Sequence, residues 1–315
     1  MIPIFGERGW REVNSGFPWV LSFNKWLRLS QLPDFSGETL YISSDYSGQG
    51  KESKFDVICI LVADIDKSLE WEIQRCEVRR RYLMDGRRMA FKNLNDGQRR
   101  KALRPFLSAA NEIHGLFLVV AIHKNIKTLC SNAEMFEWLK AERVLKAEWR
   151  FQAFERMFRI VHFVSLLIAG LAKPNQNIYW ISDRDEILDG ASRTADTQRI
   201  LSSFTSLYVK FPLGQCGIGT TALDEGDRLE EDLAAIPDLA AGGVAELLTR
   251  LHATTGGKIS GPITKMIPEN LSQKTEVLLS WLEDERHLKK VKLCFDHSGG
   301  SQFCLGPFKT GWSNT

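Results

Sequence analysis

Two stretches constrain the fold more than any others: Phe55-Asp56-Val57-Ile58-Cys59-Ile60-Leu61-Val62-Ala63 and Gly115-Leu116-Phe117-Leu118-Val119-Val120-Ala121-Ile122 are apolar at nearly every position. A strand of that kind has almost no face to show to water, so both are predicted to be central strands of a sheet covered by helices. Thr39-Leu40-Tyr41-Ile42-Ser43 precedes the first of them across a short Gly-containing connection, which predicts an antiparallel hairpin. Apolar residues at helical spacing follow over Ile65–Tyr82 and Asp96–Ala110, and again over Ala133–Leu171 after the strand that begins at Gly115. Asn177–Ser182 and Ser206–Pro212 read as a fourth and a fifth strand, separated by a helix over Ser192–Phe204. The order implies an α/β domain with a mixed five-stranded sheet and crossover helices.

Three regions are expected. Residues 1–38 hold Trp10, Trp19, Trp26, Pro3, Pro18 and Pro33 without sustained period, and read as an irregular lead-in. Residues 39–253 hold the sheet and its helices, ending with a helix over Asp227–Leu251. Residues 254–315 read as a small extension of one helix, Ser272–Lys289, and a hairpin around His297-Ser298-Gly299-Gly300.

A 315-residue chain that is 43% hydrophobic and 25% charged can bury a sizeable core. Six scattered cysteines suit free thiols in a reducing, cytoplasmic setting. Met1–Trp19 lacks a signal-peptide core, and Ile160–Ala172 is broken by His162 and shorter than the ~20 residues a bilayer span needs, so no membrane partner is expected. Trp138, Trp149, Trp281 and Trp312 lie outside the strands, where internal packing, a protein partner or a second copy could cover them.

Candidate chemistry starts at Asp45, which closes the first strand before Ser47 and Gly48. Asp favours turns over strands, but the same grammar returns at Tyr179-Trp180-Ile181-Ser182-Asp183. A third carboxylate, Asp238, lies between apolar residues in Ile236-Pro237-Asp238-Leu239-Ala240-Ala241-Gly242, poorly placed for solvent. Ligand sites of open α/β sheets lie beyond the carboxyl ends of their strands, where Asp45 and Asp183 would meet if their strands are neighbours. Three adjoining carboxylates repel one another unless a cation neutralises them, and an all-oxygen set suits Mg²⁺ or Mn²⁺. Such an ion can activate a water and stabilise the leaving oxygen of a phosphodiester.

From Arg75 to Arg104 eleven Lys and Arg face three acids in an otherwise near-neutral chain, either a solvated helix face or a phosphate-tracking surface. Lys92, Arg99, Arg100 and Lys101 are its nucleic-acid candidates. His123 and Lys124, after the third strand, read either as a surface strand terminus or as groups that touch phosphate. Cys294, His297 and Cys304 offer three ligands where a structural zinc site needs four. No Gly-rich phosphate loop follows a strand, which disfavours a small phosphorylated substrate.

Asp45-Tyr46-Ser47-Gly48 resembles the Asp-Glu-Ser-Gly signature that closes the first strand of the domain-of-unknown-function 3800 proteins, a ribonuclease-H-like family. Asp183 in Trp180-Ile181-Ser182-Asp183-Arg184-Asp185 is similar to that family's later strand-end Asp, and Ile236–Gly242 to its closing-helix pattern. The resemblance runs from about Thr39 to Leu251 and implies a ribonuclease-H-like fold and a metal-dependent nuclease with Asp45, Asp183 and Asp238 as metal-binding and catalytic residues. Tyr46 replaces the signature Glu, and no acid lies around Met89-Ala90-Phe91-Lys92 where the family tends to carry one. A fourth ligand must then come from Asp185, Glu186, Glu231 or Asp232, with Glu231 favoured because it lies seven residues before Asp238 on one helix face. Those departures motivate the alternative, a catalytically degenerate module that binds nucleic acid or scaffolds a complex.

Overall fold

The computed structural model describes residues 17, 19–127, 129–183, 185–221, 224, 226–255, 268, 270–284, 286–299, 302–308 and 310. The helices are α1 (Trp19–Arg28), α2 (Leu69–Tyr82), α3 (Gly97–Ala110), α4 (Ala133–Ala141), α5 (Phe151–Leu171), α6 (Gly190–Tyr208), α7 (Leu229–Thr255) and α8 (Gln273–Glu283). The strands are β1 (Thr39–Ser47), β2 (Phe55–Asp64), β3 (Gly115–His123), β4 (Asn177–Ser182), β5 (Cys216–Thr220), β6 (Lys289–Gly299) and β7 (Gln302–Pro307).

All seven strands share one mixed sheet, in the order β5-β4-β1-β2-β3-β6-β7. β1, β2 and β3 are antiparallel neighbours, whereas β4 lies parallel to β1, β5 to β4 and β6 to β3. Side chains alternate across the sheet. Ile58, Ile60, Val62, Leu118 and Val120 face a core built with α1, α4, α5 and α6, while Val57, Cys59, Leu61, Phe117 and Val119 face one built with α2, α3, α7 and α8. Helices therefore cover both faces, which is why β2 and β3 could be apolar throughout.

The expected count of five strands is corrected to seven, because the C-terminal hairpin adds β6 and β7 beside β3. The strand expected over Ser206–Pro212 is corrected as well. α6 continues through Tyr208, which is buried together with Leu201 and Phe204 at helical spacing and meets His162 Nε2 of α5 through its hydroxyl at 2.5 Å. The strand that pairs with β4 instead runs through the Gly-rich stretch after it. Gly219 is required there, since a Cβ would stand 2.2 Å from the Tyr179 hydroxyl on β4. Within the lead-in, Trp19–Arg28 is helical and buries Trp19, Val20, Phe23 and Leu27. The predicted helix over Ala133–Leu171 is two helices, α4 starting on the Asn132 side chain as its cap and α5 buried nearly all round. The zinc candidates Cys294 and Cys304 lie on paired strands, and the side chain of His297 is outside the described residues. No helix among the described residues is long and apolar enough to cross a membrane.

Candidate active site

β1 and β4 are in register through Ser44 opposite Ser182, so the next residues, Asp45 and Asp183, come side by side; Asp183 lies just past β4, whereas Asp45, expected to close its strand, is still paired with Cys59 of β2 within β1, which runs on to Ser47. Both strands are clamped at this end: the Trp180 indole N–H donates to Ser44 Oγ at 2.9 Å and Ser182 Oγ donates to the Ser44 carbonyl at 3.2 Å. The chain then turns at Gly48, whose φ of 95° and whose missing Cβ, 2.1 Å from the Phe55 carbonyl if built, demand glycine.

α7 brings the third carboxylate by a local irregularity. Pro237 has no N–H, so the carbonyl of Leu233 four residues earlier has no intrahelical donor. Ser43 Oγ donates to it at 2.7 Å, and both residues are buried. That bond fastens α7 to β1 two residues before Asp45 and one turn before Asp238. Gly242, one turn further on, lets α7 approach the short turn at Phe91, where a Cβ would be 2.2 Å from the ring. The Phe91 backbone N–H donates to Asp238 Oδ2 at 2.7 Å.

Asp45 and Asp238 meet carboxyl to carboxyl across a buried contact, each acting on the other's charge. Burial, and then the Asp238 charge, holds the Asp45 carboxyl well above the usual carboxylate range. Asp238 is also raised by burial, with the Phe91 amide, the Asp45 hydrogen bond and Arg88 opposing the rise. Without a cation the two carboxyls are best satisfied holding one proton between them. Beneath them Cys59, opposite Asp45 on β2, is fully buried, and burial followed by the two carboxylates pushes its thiol up.

Asp183 stands beside this pair and is held differently. Its Oδ1 accepts from Thr221 Oγ1 at 3.0 Å and pairs with Arg88 at 2.6 Å. Arg88 in turn donates to Thr221 at 3.3 Å, and its carbonyl accepts from Arg99 Nε at 2.7 Å. The three carboxylates contribute to each other's fields but do not form a set with ligand atoms all within 4.8 Å; among the described residues that distinction belongs to Asp224, Asp227 and Glu230. This second group is tied up locally, Asp224 by the backbone N–H groups of Arg228 and Glu231, and Asp227 by Arg75.

Of the fourth-ligand candidates, Glu231, Asp232 and Glu186 are held by arginines, while Asp185 lies next to Asp183. Glu231 pairs with Arg228 at 2.7 Å and Arg79 at 3.5 Å. Asp232, almost fully buried, bridges Arg79 at 2.7 Å and Arg75 at 3.3 Å and so locks α7 to α2. Asp185 adjoins Asp183 and Tyr46, and burial raises both its carboxyl and the Tyr46 phenol. Glu186 pairs with Arg156. Of the basic segment, Arg75, Arg79, Arg87 and Arg88 are committed to carboxylates and Arg99 is half-buried; Arg80, exposed, pairs with Glu77, which leaves Arg81, Lys92, Arg100, Lys101 and Arg104 exposed. Arg88, Thr221 and the Phe91 amide are site groups the sequence reading missed, since they come from distant loops; a lone Arg beside a run of others carries no distinguishing signal.

The donors are carboxylate oxygens on β1, α7 and the residue after β4, a chemistry that suits a hard divalent cation, with Asp183 taken by Arg88 and the three not converged within 4.8 Å.

No family model matches the chain, and no curated protein matches it. Among solved structures, ribonuclease H2 from Pyrococcus horikoshii OT3 is similar at 14% identity and a TM-score of 0.35, over 78% of this chain and 85% of that one.

Proposed function

We propose that the chain is a divalent-metal-dependent nuclease of ribonuclease-H-like fold, akin to the domain-of-unknown-function 3800 proteins, that hydrolyses phosphodiesters of DNA or RNA. The observation that carries this reading is the buried, hydrogen-bonded pair Asp45 and Asp238 beside strand-end Asp183. The sub-sheet β5-β4-β1-β2-β3 supplies the five-stranded mixed sheet that the resemblance implies, and its C-terminal strand ends carry the site. Asp45, Asp183 and Asp238 would hold Mg²⁺ or Mn²⁺, which when bound supplies charge neutralisation and a more acidic water. The protein's own contribution is to fix these oxygens: Ser43 anchors α7 to β1, the Phe91 amide orients Asp238, and Arg88 with Thr221 orients Asp183. Exposed Lys92, Arg100 and Lys101 would steer the phosphate backbone.

A second reading, a nucleic-acid-binding module without activity, is favoured by one observation: Arg88 already neutralises Asp183. The two are separated by incubating a mixed DNA and RNA pool with the protein and Mn²⁺ or Mg²⁺. Metal-dependent cleavage that Asp183→Asn abolishes while binding persists supports the nuclease. Binding without cleavage in the native chain supports the module, and cleavage that survives Asp183→Asn contradicts the site.

A further inference from the structure

A cavity of about 300 Å³ opens beside the carboxylates on the opposite face of the sheet's strand ends, between β2, the residues after β3, and α5. Gln152, Glu155, Arg156 and Arg159 line it from successive turns of α5, at spacings that put them on one face of the helix. Lys124 and Lys127 close the other side. The two acids present, Asp56 and Glu155, are both taken by Arg159, at 3.5 and 2.8 Å. Arg159 also donates to the carbonyls of Ile126 and Lys127, so it is a fixed strut of the wall. Arg156 pairs with Glu186 at 2.6 Å and Lys124 Nζ donates to the Gly50 carbonyl at 3.0 Å, which leaves the ammonium charges of Lys124 and Lys127 as those that the two acids of the lining, held by Arg159, do not pair with.

The concentration of positive charge is strong enough to be felt by its own members: burial, and then Arg156, Lys54 and Lys127, lower the Lys124 ammonium against the pull of Asp56. Beside the cations stand an aromatic face, Phe151, and two amides, Gln49 and Gln152. Cations, a ring and amide groups around a cavity at the small end of ligand-site sizes suit a phosphate with an attached base. The cavity and the carboxylates lie on opposite faces of the sheet at neighbouring strand ends, with Tyr46 of β1 between them. Arg156 lies over the Tyr46 ring, 5.1 Å from its centroid, and Tyr46 adjoins both Asp45 and Asp185. Gln49 follows β1 directly after Gly48.

We propose that this cavity binds a nucleotide phosphate of a single nucleic-acid strand, with Lys124 and Lys127 holding the phosphate and Phe151 on the side of the base. The proposal rests on the nuclease reading for its occupant, and gives that reading a second place, across the sheet from the carboxylates, where the strand is held. A free nucleotide offers the same phosphate ester, and the test separates the two sources.

Binding of a labelled, 5′-phosphorylated single-stranded octanucleotide is measured in EDTA, across a salt series, with AMP and inorganic phosphate as competitors. Working without metal keeps the test independent of any cation at the carboxylates, so its outcome is separate from that of the metal titration. Lys124→Ala with Lys127→Ala should weaken binding roughly tenfold and flatten the salt slope by about 1.4, at ~0.7 per lost contact on a single strand. Lys124→Arg with Lys127→Arg should keep both, and all variants should retain the native melting temperature. Competition by AMP at concentrations comparable to the octanucleotide assigns the pocket to a free nucleotide. Unchanged affinity and slope in the double alanine variant, with Arg100→Glu and Lys101→Glu carrying the whole effect, overturns the proposal.

Discussion

Ser43→Ala tests how the fold positions its carboxylates. The hydroxyl of Ser43 is the donor that the Leu233 carbonyl lacks because residue 237 is proline. Both groups are almost fully buried, Ser43 at 2% and Leu233 at 1% exposure, so water cannot replace the lost bond without repacking. Leaving a buried carbonyl unpaired costs about 1–3 kcal/mol. For 315 residues the unfolding entropy scales to roughly 0.7 kcal/mol per degree, so the melting temperature should fall by about 1.5–4.5 °C. The informative comparison is the same substitution in a Pro237→Ala background, where an N–H is restored at position 237 and the helix can satisfy Leu233 itself. Ser43→Ala should then cost at least about 1 kcal/mol less, a coupling that thermal or urea unfolding of the four proteins reads directly. Equal costs in both backgrounds would refute the link between the proline and the serine, and with it the account of how α7 is fastened beside β1.

Three further expectations concern the surroundings of the site. Asp232→Ala removes the common partner of two inward-facing arginines and should destabilise by about 3–5 kcal/mol while leaving any Mn²⁺-induced stabilisation intact, as differential scanning calorimetry with and without metal would show. Gly242→Ala gains helix propensity but drives a methyl into the Phe91 ring, for a net loss of about 1–2 kcal/mol in chemical denaturation. His162, whose pKa burial lowers to about 3, stays neutral in the folded chain, and its buried Nδ1 has no partner among the described residues. The unfolded chain therefore takes up the proton first, and stability should fall by about 1.4 kcal/mol per pH unit as pH drops below about 6.5; His162→Gln should flatten that slope.

Much of the sheet was legible because continuous apolar or aromatic runs of strand length have few other uses: β2, β3, and the two strands that end in Ser-Asp. β5 was not legible, since Gly217 and Gly219 lower strand propensity, and the reason for Gly219, its close approach to the Tyr179 hydroxyl on the neighbouring strand, is a tertiary one. Leu207-Tyr208-Val209 looked like a strand because propensity is local, whereas its helical state is set by what Tyr208 meets on α5. At the site, repetition of a strand-end Asp exposed Asp45 and Asp183, and the Ala and Gly around Asp238 exposed its close packing. Helical periodicity also placed Glu231 on one face with Asp238, but could not show that Arg79 and Arg228 take its charge. Partners far apart in sequence leave no periodic trace, which is why Arg88 and Thr221 on Asp183 and the amide of Phe91 on Asp238 emerged from the structure alone.

If Asp45, Asp183 and Asp238 hold a divalent cation, a Mn²⁺ titration followed by thermal unfolding, with Mg²⁺ as a second ion, separates the native chain from Asp45→Asn. The native melting temperature should climb with metal, reaching about 2.7 kcal/mol of added stability at a hundredfold excess over Kd, while Asp45→Asn stays flat. Equal stabilisation of the two proteins, or none in either, rules that metal site out.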